Sequence, residues 1–200
     1  TLPRSIRGRI VGVAAVVGRP RLPFPQLKAN PFRLPLPSIL LSNVHSLDNK
    51  IDHLQIELSA KREFRDYCAL ILMETWLTSS IPDHAVSLGG LATFRADRNK
   101  ELSGKTRGGG LYINNNWCKN ARIVTSFCSP DIELMIISCR PFYLPREFTV
   151  VIITAVYVPP SANTRDAMSV LYWTISEMQS AHTEGVFIIA GDFNQANMKT

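Results

Sequence analysis

From residue 38 onward the chain alternates short apolar runs with polar turns, and two stretches carry apolar residues at helical spacing. Residues 38–44 (SILLSNV) are too short for a helix and predict a buried strand ending at polar Asn43. Residues 48–64 place Ile51, Leu54 and Leu58 on one face among charged neighbours, which predicts an amphipathic helix. Residues 69–74 (ALILME) predict a second buried strand that ends in a carboxylate. Further strands are predicted over 92–96, 109–113, 121–127 and 132–138, with turn residues such as Ser129, Pro130 and Asp131 between them. Residues 148–157 (FTVVIITAVY) carry the strongest β signal, because they are rich in β-branched side chains, and Pro159 and Pro160 stop the run. Asn163 then suits a helix N-cap, with Asp166 in the first turn and Ala167, Leu171, Ile175 and Met178 as the apolar stripe. Residues 186–190 (VFIIA) predict a last buried strand, running into Gly191-Asp192-Phe193-Asn194. About eight strands and two helices result. A doubly wound parallel sheet would want a helix after nearly every strand, so the pattern predicts sheets covered by helices instead.

Residues 1–37 break this pattern. They hold Pro3, Pro20, Pro23, Pro25, Pro31, Pro35 and Pro37, which cannot sustain helix or ladder hydrogen bonding, so the segment is expected to be a disordered basic arm. The chain as a whole has 22 Lys and Arg against 16 Asp and Glu, a net +6. Seven of those cations (Arg4, Arg7, Arg9, Arg19, Arg21, Lys28 and Arg33) and none of the acids lie in the arm, which leaves 15 against 16 for residues 38–200. The globular part is therefore not basic. The arm could contact nucleic-acid phosphates through Arg4, Arg7, Arg9, Arg19 and Arg21, act as a targeting segment, or serve only as a solvated linker. The longest low-polarity stretch near the N-terminus, residues 10–17, is eight long, well below the roughly 18 needed to span a membrane. No membrane association is expected. Cys68, Cys118, Cys128 and Cys139 show neither a CxxC pair nor a nearby His at zinc-finger spacing, so reduced thiols and an intracellular setting are expected.

Candidate chemistry sits where strands end. Asn43, Glu74, Tyr157, Asp192 and Asn194 stand at or just beyond the C-terminal ends of apolar runs, where a rigid scaffold presents reactive groups. Asp192 and Asn194 flank Phe193, so in extended chain their side chains share a face. Singly, each has a plain alternative: Glu74 a surface acid, Tyr157 a packing residue, Asn43 the start of a turn. Oxygen donors beside amides suit a hard divalent cation such as Mg²⁺. There is no G-x-S-x-G elbow, and His45, His53, His84 and His182 have no motif context. Gly108-Gly109-Gly110 precedes a strand, whereas phosphate-binding glycine loops lead into a helix.

Taken in order, Asn43-Val44-His45-Ser46-Leu47, Glu74-Thr75-Trp76-Leu77, Arg95-Ala96-Asp97-Arg98, Arg107-Gly108-Gly109-Gly110-Leu111, Tyr157-Val158-Pro159-Pro160 and Gly191-Asp192-Phe193-Asn194 resemble the endonuclease domain of LINE-type (non-LTR) retrotransposons. That group belongs to the exonuclease-endonuclease-phosphatase family. The resemblance implies an α+β fold, a four-layer sandwich of two mostly antiparallel sheets flanked by helices, here over residues 38–200 and lacking the family's C-terminal part. It implies Glu74 as metal ligand, with Asn43 organising metal and phosphate. Tyr157 falls near the scissile phosphate, Asp192 orients or deprotonates the attacking water, and Asn194 holds phosphate. Asp97 and Arg98 match a supporting pair.

The activity implied is Mg²⁺- or Mn²⁺-dependent hydrolysis of DNA phosphodiesters, in the nucleus, beside the reverse-transcriptase domain of a parent polyprotein. The chain departs from the pattern in ending before a Ser-Asp-His motif, so the 200 residues are expected to nick DNA little. It also has Met73 where many relatives have Gln, and His45 where many have Arg or Gln. Two other readings stand beside this one: a non-catalytic nucleic-acid-binding fragment acting through the arm, and a family phosphatase.

Overall fold

The computed structural model describes the backbone of residues 13–17 and residues 37–97, 107–146 and 148–194. Among the described residues nine strands form two sheets. One has four strands: β2 (Ile39–Asn43), β3 (Ala69–Met73), β5 (Gly109–Asn114) and β4 (Leu91–Ala96), in that order. The other has five, ordered β1 (Val13–Val17), β9 (Gly185–Asp192), β8 (Val150–Tyr157), β7 (Glu133–Cys139) and β6 (Arg122–Cys128). Only β2 with β3 and β8 with β9 run parallel; the other pairings are antiparallel.

Side-chain alternation explains the layering. From β3, β5, β7, β8 and β9 one set of alternate residues, including Ile71, Leu111, Ile137, Ile153 and Ile188, meets in a core between the sheets. The opposite faces carry separate cores. Leu70, Leu72 and Tyr112 pack against α1 (Ile51–Ala60) and α2 (Arg62–Arg65). Ile136, Ile152 and Phe187 pack against α3 (Thr164–Ala181). The order is thus helices, sheet, sheet, helix, the expected four-layer sandwich. Strands β7, β8 and β9 are buried along their whole length because both their faces are covered, which is why they read as predominantly apolar runs rather than alternating ones.

The helix expected over 48–64 is in fact three pieces. A 3₁₀ turn at Asp48–Lys50 leads into α1, and extended backbone at Lys61 (φ −112°, ψ 119°) separates α1 from α2. The break has a packing reason. On a straight helix Phe64 would lie about 110° from the stripe of Ile51, Leu54 and Leu58, whereas after the break it is buried in the same core as that stripe. Helix α3 matches expectation: the Asn163 side chain accepts from the Arg165 N–H, and Ala167, Leu171, Ile175 and Met178 are its buried stripe.

The arm needs one correction. Within the segment expected to lack structure, β1 pairs antiparallel with β9, Val13 opposite Ala190 and Val17 opposite Phe187. The apolar stretch 10–17 that supplies it sits between the prolines, so the β9 edge can be paired there without meeting a ring nitrogen. Arg4, Arg7, Arg9, Arg19 and Arg21 lie outside the described residues. All four cysteines are free thiols, three of them buried. Among the described residues no helix is long and apolar enough to cross a membrane.

Candidate active site

Two parallel strand pairs, one in each sheet, bring four strand ends to one rim. In β2 the inter-sheet face carries Ile39 and Leu41, so continued alternation puts Asn43 on that face. In β8 and β9 the same parity carries Val151, Ile153 and Ala155 to Tyr157, and Val186, Ile188 and Ala190 to Asp192. Register completes the arrangement, since Tyr157 is the partner of Asp192 and Asn43 that of Met73. Asn43 Nδ2 donates to Asp192 Oδ2 at 2.6 Å, a bond that spans the two sheets.

Glu74 reaches the same place by another route. Simple alternation from β3 would turn it toward the helix side, with Leu70 and Leu72. Left-handed backbone at Glu74 (φ 54°) interrupts the alternation. Its carboxylate instead lies at 3.4 Å from the Tyr157 hydroxyl, 3.5 Å from Arg107 Nη1 and 3.0 Å from His45 Nδ1. All five non-glycine residues with positive φ among those described, His45, Ser46, Glu74, Trp76 and Asn194, belong to the turns around this rim. Clustered backbone strain of that kind is held in place by its surroundings. Here the Ser46 and Leu47 N–H groups donate to the Glu74 and Thr75 carbonyls, and Trp76 N–H donates to Arg107 O at 2.7 Å.

Arg107 is the residue that sequence reasoning left without a role. It heads the glycine run, and its guanidinium donates to the Tyr157 hydroxyl as well as facing Glu74. Burial would lower its pKa, but the bond to Tyr157 and the charges of Glu74 and Glu133 hold it above the usual arginine value. The Tyr157 phenol is pushed up to about 12, chiefly by burial and then by the Glu74 charge, against the opposing pull of Arg107. It is therefore a protonated donor at neutral pH. Next to Arg107, Gly108 takes a left-handed turn (φ 62°), and its N–H donates to Glu133 Oε2 at 3.1 Å, tying the β5 entry to β7 of the other sheet. A cation immediately ahead of three glycines was the available signal for Arg107; nothing local marked Glu133.

Asp192 is 5% exposed, and both its oxygens are held: Oδ2 by Asn43, Oδ1 by the Asn194 N–H at 3.0 Å. The Asn194 side chain donates to Val158 O at 2.8 Å, which closes the turn after β9.

Solved structures share this arrangement of layers. Humanized D. rerio TDP2 matches with a TM-score of 0.50 and 15% identity, over 78% of this chain and 65% of that one. ANGEL2, a 2',3'-cyclic phosphatase, matches with a TM-score of 0.52 and 15% identity, over 79% of this chain and 53% of that one. The fold is that of the exonuclease-endonuclease-phosphatase proteins. No family model matches the chain, and no curated protein gives a match. The chain spans about half to two thirds of the length of these two exonuclease-endonuclease-phosphatase structures.

Within this exonuclease-endonuclease-phosphatase fold, Asn43, Glu74, Tyr157 and Asp192 share one hydrogen-bonded rim with Arg107 and His45, and Asn194 braces Asp192. Asp97 has a different setting. It pairs with Arg95, whose guanidinium also donates to Thr78 O at 3.0 Å, Ile81 O at 2.7 Å and Asp83 Oδ1 at 2.7 Å. That is a clamp holding the loop after β3 onto β4. Arg98 lies outside the described residues. Met73, where the resemblance led one to look for Gln, is buried in the inter-sheet core.

Proposed function

We propose that this rim hydrolyses phosphodiesters in DNA, as the site of a divalent-metal-dependent endonuclease of the LINE-type retrotransposon branch. The observation that carries the reading is the convergence of two carboxylates, an amide and a protonated phenol at the ends of four strands from two sheets, with a guanidinium from the entry to β5. Hydrolysis of a phosphodiester calls for a positioned water, charge neutralisation at the phosphoryl oxygens and donors aimed at developing charge. Asp192, held by Asn43 and Asn194, would orient and deprotonate the water. Arg107 supplies a permanent cation, and Tyr157, its pKa pushed up to about 12 chiefly by burial, supplies an O–H rather than a phenolate at neutral pH.

The donor set fits a hard cation. Asn43 uses its nitrogen on Asp192, so its carbonyl oxygen and the Glu74 carboxylate are the oxygen donors that such a cation would take, although among the described residues no three His, Cys, Asp or Glu side chains cluster as a metal site. Mg²⁺ or Mn²⁺ held by Glu74 and Asn43 would act as a Lewis acid on a phosphoryl oxygen.

The test is nicking of supercoiled plasmid. Slow nicking that requires Mg²⁺ and disappears in Glu74→Ala and in Asp192→Ala is expected. Robust nicking lost in both variants would refute the low activity expected of these 200 residues while keeping the site. Nicking untouched by both, or phosphate release from small substrates with DNA left intact, would overturn the reading; the second result would favour the phosphatase alternative. If nucleic-acid binding works through the arm instead, deleting residues 1–37 abolishes a strongly salt-dependent affinity, whatever happens at Glu74.

A further inference from the structure

Trp76 is not used by the chemistry above, yet the chain holds it at an energetic cost. It is 44% exposed, so a large aromatic surface is left in water. Its backbone is left-handed (φ 56°), a conformation that bulky side chains rarely adopt. Neither feature serves the core, to which its neighbours Thr75 and Leu77 are committed at 1% exposure each. The conformation is nonetheless well fixed: the Trp76 N–H donates to Arg107 O at 2.7 Å, and the indole meets the His45 ring edge to face at 5.9 Å between centroids. His45 is in turn held to Glu74 at 3.0 Å, and its own carbonyl accepts from Lys50 Nζ at 2.9 Å. Trp76 is thus anchored directly to the Arg107 backbone and, through His45, to Glu74, the residues that supply the guanidinium and one carboxylate of the proposed phosphate site.

An exposed aromatic ring fixed beside a proposed phosphate site offers a stacking surface for the group that the sugar links to that phosphate. In a nucleic acid that group is a nucleobase. Every base presents a π face, so such a surface adds affinity with little sequence preference. We infer that Trp76, buttressed by His45, stacks on an unstacked nucleobase flanking the bound phosphodiester and so positions the strand. This rests on the endonuclease reading, and it makes Trp76 a substrate-positioning residue rather than a participant in bond cleavage.

The full chain can be titrated with a short single-stranded oligonucleotide and with versions in which single nucleotides are replaced in turn by an abasic tetrahydrofuran residue. The wild type is expected to lose about 5- to 150-fold in affinity at one abasic position, and its tryptophan fluorescence to be quenched by the base-bearing oligonucleotide only. Trp76→Ala is expected to bind base-bearing and abasic oligonucleotides alike, whereas Trp76→Phe keeps most of the discrimination. Because the ring lies at the surface, matching thermal unfolding curves check that both variants are folded. Binding by the wild type without base discrimination, or discrimination surviving in Trp76→Ala, overturns the stacking alone. Failure of the wild type to bind any of the oligonucleotides overturns the endonuclease reading, and the stacking with it.

Discussion

Substituting Gly191 with alanine should part the two strands that carry Tyr157 and Asp192. Gly191 lies opposite Val156 in the parallel pairing of β8 and β9, one residue before each of those groups. A Cβ added there would overlap the Val156 carbonyl oxygen, and it would lie 2.6 Å from the carbonyl carbon and 2.9 Å from Cα. These are backbone atoms, so no rotamer change relieves the overlap. Ordinary contact begins at 3.4 Å, so the strands must separate by about 0.8 Å or more at this point. The bond from Val158 N–H to Asp192 O, at 2.8 Å, would be stretched past the usual limit. Strain of about 1–3 kcal/mol and one or two weakened hydrogen bonds at about 0.5–1.5 kcal/mol each give a loss of about 3 kcal/mol. For a chain of this size that lowers Tm by about 6 to 12 °C. Thermal unfolding followed by circular dichroism measures it, with Gly89→Ala as the control. Nothing lies within 4 Å of a Cβ at Gly89, so its effect should stay within about 0.5 kcal/mol. A Gly191→Ala protein melting within about 2 °C of the wild type would refute the close approach of the two strands.

Tyr157 predicts a dependence on alkaline pH. Its pKa is raised in the folded state to about 12 from 10, so the associated stability is fully present below pH 10 and is lost as pH rises toward 12. At pH 11 denaturant titrations should show the wild type losing about 1 kcal/mol more than Tyr157→Phe, relative to pH 8; equal losses would count against a buried phenol. Arg95→Met should cost about 2–4 kcal/mol in a denaturant titration, because charged hydrogen bonds to Thr78, Ile81, Asp83 and Asp97 are lost together. Oligonucleotide affinity should change less than about twofold in that variant, and a large drop would mean that the Arg95–Asp97 pair supports phosphate rather than structure.

Much of the architecture follows from local patterning. The strands of the interior are predominantly apolar runs because helices and a second sheet cover both faces, and α3 carries its cap and stripe in plain sequence. The position of the candidate residues Asn43, Tyr157 and Asp192 was legible for the same reason: each closes a strand, and strand parity decides which face it joins. Local pattern could not show which strand ends meet. That depends on two parallel pairings between segments far apart in the chain, which place Asn43 within 2.6 Å of a residue 149 positions away.

The turn residues were decided by tertiary structure as well. Left-handed backbone at Glu74 and Trp76 runs against the preference of both side chains, and only hydrogen bonds from neighbouring loops sustain it. Arg107 joined the rim only when the glycine run brought it against Tyr157, and the helix expected over 48–64 broke at Lys61 so that Phe64 could reach the core. Periodicity reports what each residue prefers among its near neighbours in the chain. The electrostatics of this rim come from groups that only the folded sheets bring together.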